Sequence, residues 1–464
     1  MSRKETRTGM HLNIRLVRGI LVLLVLSLCL LFGSSCRQGD GETEIQTVPT
    51  WSTETSRPTE EIPSTEGTWS TETVTPTETA EATQPPFVTE PHLTEPQPTA
   101  PPAESTEPPV QEPTVPETVP PMQIQVSPDQ TEVLLIPQKV QAFTLRDLTR
   151  PLEDDIYNYK AAHRRLDTGV PVTLSVKITN IPQGVAVTSI VFTLADNEDL
   201  TNGQIYRPAG NQSSVKVPFL LANKQYYYRI CISFSDGTTR VLETSFRTAA
   251  APRLLSVDGI VNVRDIGGWK TANGSVIRQG LLYRGSELDG AVKSEYKLTA
   301  EGLRQMRQYL GIRTDMDLRS PAEIGQFTYP LGEDVTHSVY DARPYTAMFH
   351  SPGRAAVLKI FTDLANPDNY PVYMHCTYGA DRAGTVCFLL EALLGVSEED
   401  LQREYELSTM CYTWVDSYGY RTMVEQLKTW QGDTLQEKAE TFVLYCGVTR
   451  EQIDQIRQIL LEKT

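Results

Sequence analysis

From Gly41 to Pro120 the chain is Thr, Pro, Glu and Ser with almost no aliphatic residues, and WSTET occurs twice, at Trp51–Thr55 and Trp69–Thr73. This tract constrains the fold most. It cannot bury enough apolar surface to offset its ordering entropy, and its prolines keep it extended. Its fifteen acidic residues stand against the single basic Arg57, so it holds most of the formal net charge of −16. The rest of the chain is near neutral and lacks the clustered Lys and Arg that neutralise phosphates, so no nucleic-acid partner is expected. The composition predicts a disordered linker over residues 37–122, acting as a stalk that carries the folded part of the chain away from its N-terminal segment.

The N-terminus reads as a targeting segment. Arg3, Lys4, Arg7, Arg15 and Arg18 precede the apolar run GILVLLVLSLCLLFG, Gly19 to Gly33. That run is shorter than the roughly twenty residues that span a bilayer comfortably. It ends in GSSC followed by a polar stretch, which resembles a bacterial lipoprotein signal. The resemblance implies a signal peptide over residues 1–36, lipidation of Cys36, and a protein held outside the cytoplasm on the cell membrane. An uncleaved membrane anchor is the alternative, and it leaves the rest of the chain in the same place. Of the seven cysteines, Cys29 and Cys36 belong to this segment, and Cys231, Cys376, Cys387, Cys411 and Cys446 have no paired spacing. An odd number remains, so a disulfide framework is not expected and at least one thiol is free.

Over residues 123–250 the pattern has period two. VPVTLSVKITNI, TSIVFTLAD, QYYYRICISFSDG and TTRVLETSFRT are short strand-type runs between turn residues, which predicts an antiparallel sandwich. Tyr226, Tyr228, Ile230 and Ile232 would share one strand face. Leu220 ahead of YYYRI and a closing SFRT resembles the fibronectin type III pattern with its tyrosine corner, so an all-β fibronectin type III or Ig-like domain is expected. The stretch RPLEDDIYNYKAAHRRLDTG fits no strand and has no assigned place.

From residue 251 to 464 strand-type runs alternate with helical ones. EGLRQMRQYLG is amphipathic and stops at Gly311, GIRTDMDL and YPVYMH read as strands, and AGTVCFLLEALLG ends at Gly395, a helix stop. The order predicts an α/β domain with a mainly parallel sheet and functional loops at the C-terminal strand ends.

One such loop is YMHCTYGADRAGT, Tyr373 to Thr385. A cysteine beside a histidine in an apolar strand is by itself ordinary core. Here the strand, the cysteine, a loop containing Gly379 and a helix follow one another. Loop amides at a helix N-terminus form an anion site, and such a site stabilises a thiolate at its mouth. Arg382, six residues after Cys376, can return across the loop and hold two phosphate oxygens in its planar fork. Thr377, Tyr378, Gly379, Ala380, Asp381 and Arg382 would line the phosphate, and His375 would brace the cysteine. No cofactor and no metal are expected.

The same stretch resembles the HCxxGxDRxG signature of the bacterial tyrosine/serine phosphatase family, within the cysteine-based protein tyrosine phosphatases. VNVRDIGG (Val261–Gly268), LLYRGSEL (Leu281–Leu288), LGIRTDMDLRSPAE (Leu310–Glu323) and LLEALLGVSEEDLQREYELS (Leu389–Ser408) are similar to further segments of that family, in its order. The resemblance implies a protein tyrosine phosphatase-like fold over 251–464 and attack on phosphorus by Cys376, with Arg382 stabilising the charge and Arg264 in support. Asp381, Asp317 and Asp341 are candidates for the general acid, with Asp317 equally a candidate structural partner of Arg319 or of the loop. Two departures matter: Ala380 and Ala383 stand where the family usually has Lys and Thr. Loss of the lysine bears on inositol phosphate or phosphoinositide substrates, and loss of the hydroxyl implies slower breakdown of the phosphoenzyme. The expected partner is a phosphorylated protein or a small phosphoester. The resemblance implies a protein tyrosine or dual-specificity phosphatase; an inositol phosphate or phosphoinositide phosphatase is the alternative enzyme, and a surface-binding lipoprotein with a catalytically weak phosphatase fold is the alternative from another class.

Overall fold

The computed structural model describes residues 120–159, 165–210, 212–326, 328–412 and 414–463. The expected signal peptide, Cys36 and almost all of the expected linker lie outside the described residues. No helix among the described residues is long and apolar enough to cross a membrane.

The period-two runs form eight strands: β1 (Gln123–Ser127), β2 (Glu132–Val133), β3 (Val172–Thr179), β4 (Val187–Ala195), β5 (Gln204–Tyr206), β6 (Ser214–Val217), β7 (Gln225–Phe234) and β8 (Thr239–Thr248). They make two sheets, of order β1-β3-β6 and β2-β8-β7-β4-β5, antiparallel throughout except that β2 runs parallel to β8. Alternation buries Tyr226, Tyr228, Ile230, Ile232 and Phe234 on one face of β7, as the pattern predicts. These side chains meet Leu174 and Val176 of β3 and Phe192 of β4 in a single apolar core. The Tyr226 hydroxyl accepts a 2.9 Å hydrogen bond from the Leu221 amide, which ties the strand to the turn before it.

The second body is α/β. Its strands are β9 (Arg253–Leu254), β10 (Arg264–Asp265), β11 (Ser275–Ile277), β12 (Leu282–Gly285), β13 (Thr314–Asp317), β14 (Thr336–Val339), β15 (Val372–His375) and β16 (Leu461–Lys463). The main sheet has the order β14-β13-β15-β12-β10-β9. Its first four members are parallel, and β10 and β9 add on antiparallel. Every residue of β12, β13 and β15 is buried, as a parallel strand covered on both faces must be.

The α-helices, the first two of which fall between β2 and β3, are α1 (Gln138–Thr144), α2 (Leu152–Tyr159), α3 (Ala300–Arg304), α4 (Pro321–Ile324), α5 (Ser351–Leu364), α6 (Asp381–Leu394), α7 (Glu398–Glu406), α8 (Tyr418–Lys428), α9 (Leu435–Tyr445) and α10 (Arg450–Leu460). Helix α6 leaves β15 through the HCTYGADR loop, is buried from Ala383 onward, and stops at Gly395 in the left-handed conformation. It is the central helix of the body.

The boundary expected at residue 250 needs correcting. Residues 136–168 fall between β2 and β3 in the chain, yet Ile136, Val140, Phe143, Leu152 and Ile156 are buried in the α/β core together with Phe361 and Leu389. This is the region of the unplaced RPLEDDIYNYKAAHRRLDTG stretch. The apolar side of its helices is buried in the α/β core and not in the sandwich core, so the chain crosses to the α/β body and returns. The two bodies also meet directly. The Gln279 side chain exchanges hydrogen bonds of 2.8 and 2.9 Å with the backbone of Ala222, and buried Arg253 donates to the Leu220 carbonyl at 2.8 Å and pairs with Asp265 at 2.7 Å.

Candidate active site

The loop from Cys376 to Arg382 is held by its carbonyls. Thr377 O accepts from the Glu287 amide at 3.2 Å. Tyr378 O accepts from Asn262 Nδ2 at 3.1 Å and from the Tyr412 hydroxyl at 2.9 Å. Arg284 Nη2 donates to Gly379 O at 2.8 Å and to Ala380 O at 3.2 Å. In a trans peptide the carbonyl and the following N–H point in opposite directions. Four successive carbonyls pulled outward therefore turn the amides of Tyr378, Gly379, Ala380 and Asp381 to the inner side, where Cys376 ends the strand. Gly379 makes this possible: it sits at φ +66, and a Cβ there would lie 2.3 Å from the carbonyl carbon and oxygen of Gly285.

The donors behind the loop are buried ions. Arg284 and Arg264 flank Glu404, at 2.7 and 2.6 Å to its two carboxylate oxygens. Burial opposes ionisation of Glu404, but the two guanidiniums outweigh it and hold the carboxyl below its ordinary range. Burial, with Glu404 nearby, pushes neighbouring Glu391 the other way, so it is a neutral acid in the core. Arg264 also donates to Asn262 Oδ1 at 2.7 Å, which fixes the side-chain amide that holds Tyr378. Arg264 thus reaches the loop through Asn262. Arg284, Glu404, Asn262 and Tyr412 do so as well and were not singled out from sequence; the signal available was an arginine in the middle of an apolar strand, LLYRG.

Arg382 reaches back across the loop. Its fork makes 2.6 and 2.8 Å bonds to Glu323, and Nη2 lies 3.4 Å from Thr377 Oγ1. Glu323 in turn caps α4, accepting from the Ser320 amide and hydroxyl at 2.9 and 2.8 Å. Partial burial opposes ionisation, yet Arg382 and these donors bring the Glu323 carboxyl down to about 2. The guanidinium is thus pre-oriented by a carboxylate that the sequence reading did not select.

His375 is buried, with Nε2 2.9 Å from Asp315 Oδ1 and Nδ1 3.3 Å from the Cys376 carbonyl. Burial disfavours its charge, but Asp317 and Asp315 overcome that and bring it up to about 9, so it is a cation that braces the cysteine from behind. Asp317 requires a correction. It is buried and bonded to Arg319 at 2.7 and 2.9 Å, with Arg319 also held by Asp289. Burial opposes its charge, yet His375, His337 and Arg319 hold it far below the carboxylate range. A carboxylate so placed has no proton to give, and Asp317 is a structural anion rather than an acid.

Asp381 opens α6 half-buried and accepts a hydrogen bond from the Tyr345 hydroxyl. Asp341 lies on the loop after β14 at φ +48, bound to Arg343 at 2.8 Å. Ala380 and Ala383 are buried in the core beside the loop. The Thr385 hydroxyl is committed elsewhere: it donates to Asp381 O at 2.8 Å and accepts from the Tyr345 amide at 2.8 Å, so it does not replace the hydroxyl missing at Ala383. On the rim, Tyr378 packs edge-on against Tyr412, Trp414 and Tyr296, with Lys293 5.5 Å above its ring. Among the described residues no group of three or more His, Cys, Asp or Glu is placed to hold a metal ion.

Residues 255–462 match the model of the tyrosine phosphatase family. A Cupriavidus necator protein named as a tyrosine-protein phosphatase is 29% identical over 177 residues, covering 32% of this chain and 61% of the relative, less than two thirds of its length. The catalytic core of the PP-IP phosphatase SIW14 from S. cerevisiae, solved with citrate, aligns at a TM-score of 0.25 and 15% identity over 34% of this chain and 86% of that one. A second structure of the Siw14 catalytic core aligns at a TM-score of 0.25 and 14% identity, over 37% of this chain and 92% of that one.

Proposed function

We propose that this protein is a cysteine-dependent phosphomonoesterase that works through a cysteinyl-phosphate. The observation that carries the reading is the loop after Cys376, in which four successive carbonyls are bound from outside, which leaves the following amides free to face a ligand, and across which Arg382 returns to bond Glu323. That is a cradle for a tetrahedral dianion over a nucleophile. The sulfur attacks phosphorus in line, the ester P–O bond breaks, and the leaving oxygen takes a proton from Asp381. Water then attacks phosphorus, its proton passes to the Asp381 carboxylate, and the S–P bond breaks to release phosphate. With Ala383 in place of a hydroxyl and Thr385 committed elsewhere, breakdown of the cysteinyl-phosphate is the slow step.

The preferred substrate is an aryl phosphate of the phosphotyrosine type. The aromatic rim of Tyr378, Tyr412, Trp414 and Tyr296 supports this, since a phenyl ring seated there gains stacking contacts that an alkyl phosphate lacks. Buried Ala380, where a lysine would add positive charge, disfavours polyphosphorylated inositols. Turnover of a phosphotyrosine peptide, a phosphoserine peptide and inositol hexakisphosphate should fall in that order, and equal rates on the first and last would refute the preference. Cys376→Ser should abolish turnover with the fold intact; retained activity in that variant rules the mechanism out.

The strands before residue 250 are read as a fibronectin type III-like spacer, supported by the Tyr226 corner bond. The site is placed outside the cytoplasm on a lipid attached to Cys36, supported by the basic, apolar and GSSC order of the N-terminus. Metabolic labelling with a fatty acid, lost in Cys36→Ala, tests this; labelling that persists in the variant counts against it.

A further inference from the structure

The excursion, of which residues 136–159 and 165–168 are described, reaches the phosphate loop through two separate chains of contacts that end on one atom, Tyr378 O. The first runs through Asp167, which is buried at 3% exposure. Its Oδ2 accepts from the Asn262 amide at 2.7 Å, and Asn262 Nδ2 donates to Tyr378 O at 3.1 Å. Asn262 sits at φ +58, a sparsely populated conformation for a side-chain-bearing residue, and such a backbone persists only where its surroundings hold it. The second chain runs through the stretch carrying Tyr412, whose hydroxyl donates to the same carbonyl at 2.9 Å. That stretch is tied at both ends. The Leu166 amide donates to Met410 O at 2.9 Å. Arg146 pairs with Glu406, each 1% exposed, and Glu406 Oε1 accepts from the Ser417 hydroxyl at 2.7 Å.

We propose that the excursion is a working part of the phosphate cradle, with Asp167 and Arg146 as positioning residues for the Tyr378 peptide. The proposal rests on the phosphatase reading of the site. Tyr378 O and the Gly379 N–H belong to one rigid plane, so whatever holds the carbonyl outward aims that amide at the phosphate. With either brace lost the plane keeps a single hydrogen bond and can rotate about it, which misaims a donor to the developing charge. The excursion lies far from residues 371–385 in the chain, and the sandwich strands intervene between them. Nucleophile and brace meet only because the chain crosses twice between its two bodies.

The test uses the full chain. Asp167→Ala should lower kcat/KM for an aryl phosphate roughly 10- to 100-fold, mainly in kcat, because a misaimed donor costs the transition state more than the bound substrate. Asp167→Asn keeps an oxygen that accepts from the Asn262 amide and should recover most of the loss. A purely structural role for Asp167 gives instead a lowered unfolding midpoint with kcat intact, and that result overturns the proposal. Should Asp167→Ala not fold, Tyr412→Phe removes only the hydroxyl that donates to Tyr378 O beside the Asn262 amide; it should lower kcat, and a wild-type kcat there also overturns the proposal. A readout independent of turnover keeps the two readings apart. Orthovanadate should protect Cys376 from iodoacetate in the wild type and protect it several-fold less well in both variants. If the wild type shows no Cys376-dependent turnover, the phosphatase reading fails, and this protection alone decides the brace: equal protection in all three proteins sinks it.

Discussion

The two bodies bury different things. The sandwich core is apolar, with Leu174, Phe192, Ile230, Ile232 and Phe246 at its centre, and its ion pairs stay outside, as with Arg229 and Glu243 at 43% and 59% exposure. The α/β body takes Arg264, Arg284, Arg319, Asp317 and Glu404 out of water altogether. Burying ions costs several kcal/mol each unless geometry and hydrogen bonds offset it, so apolar packing is the less costly way to stabilise a core. Several of these charges hold loop carbonyls or lie behind Cys376, while the buried Arg253–Asp265 pair holds the backbone of Phe219 and Leu220 instead.

The largest expected effect tests that contrast directly. Arg284→Met removes the donor to Gly379 and Ala380 and leaves Glu404 with one cation, and should cost about 3–5 kcal/mol in urea unfolding. A neutral outcome would mean that the buried ions are not what the fold depends on.

Next comes pH. His375 goes from 6.5 unfolded to about 9 folded, because Asp317 and Asp315 outweigh its burial. A raised histidine stabilises fully below its unfolded value and loses that contribution as pH rises through its folded one. Stability should therefore fall between pH 6.5 and about 9, by an amount on the order of 3 kcal/mol, and less in Asp315→Asn. A flat profile over that window would remove His375 from the list of buried cations.

The smallest effect belongs to the sandwich. Arg229→Ala should cost at most about 1 kcal/mol, and less still in high salt, since an exposed pair is screened by solvent and ions. A loss as large as that for Arg284→Met would erase the distinction between the two bodies.

Much of this was legible in sequence because it is local. Period-two alternation placed the buried face of β7, and Gly395 ended α6. The strand, Cys376, Gly379 and Arg382 lie within one short stretch, where spacing alone implies a cradle. For Asp317 two roles stood open in the sequence, general acid or structural partner of Arg319; the folded sheet adds His375 and His337 to Arg319 around the same carboxylate and favours the second. Glu323 was quoted within a family segment, but its partner Arg382 lies 59 positions away in the chain.

What the sequence by itself determined is therefore the order of strand, Cys376, glycine loop and Arg382 and the kind of most elements, since periodicity, turn residues and motif spacing act over a few neighbouring residues. Only the tertiary structure decided that Arg284 and Asn262 hold the loop's carbonyls, that Asp317 is locked as an anion, and that Val140, Phe143, Leu152 and Ile156 leave the sandwich to pack in the α/β core. Each of these is a contact between distant parts of the chain, made favourable by burial and electrostatics that exist only once the bodies have closed on one another.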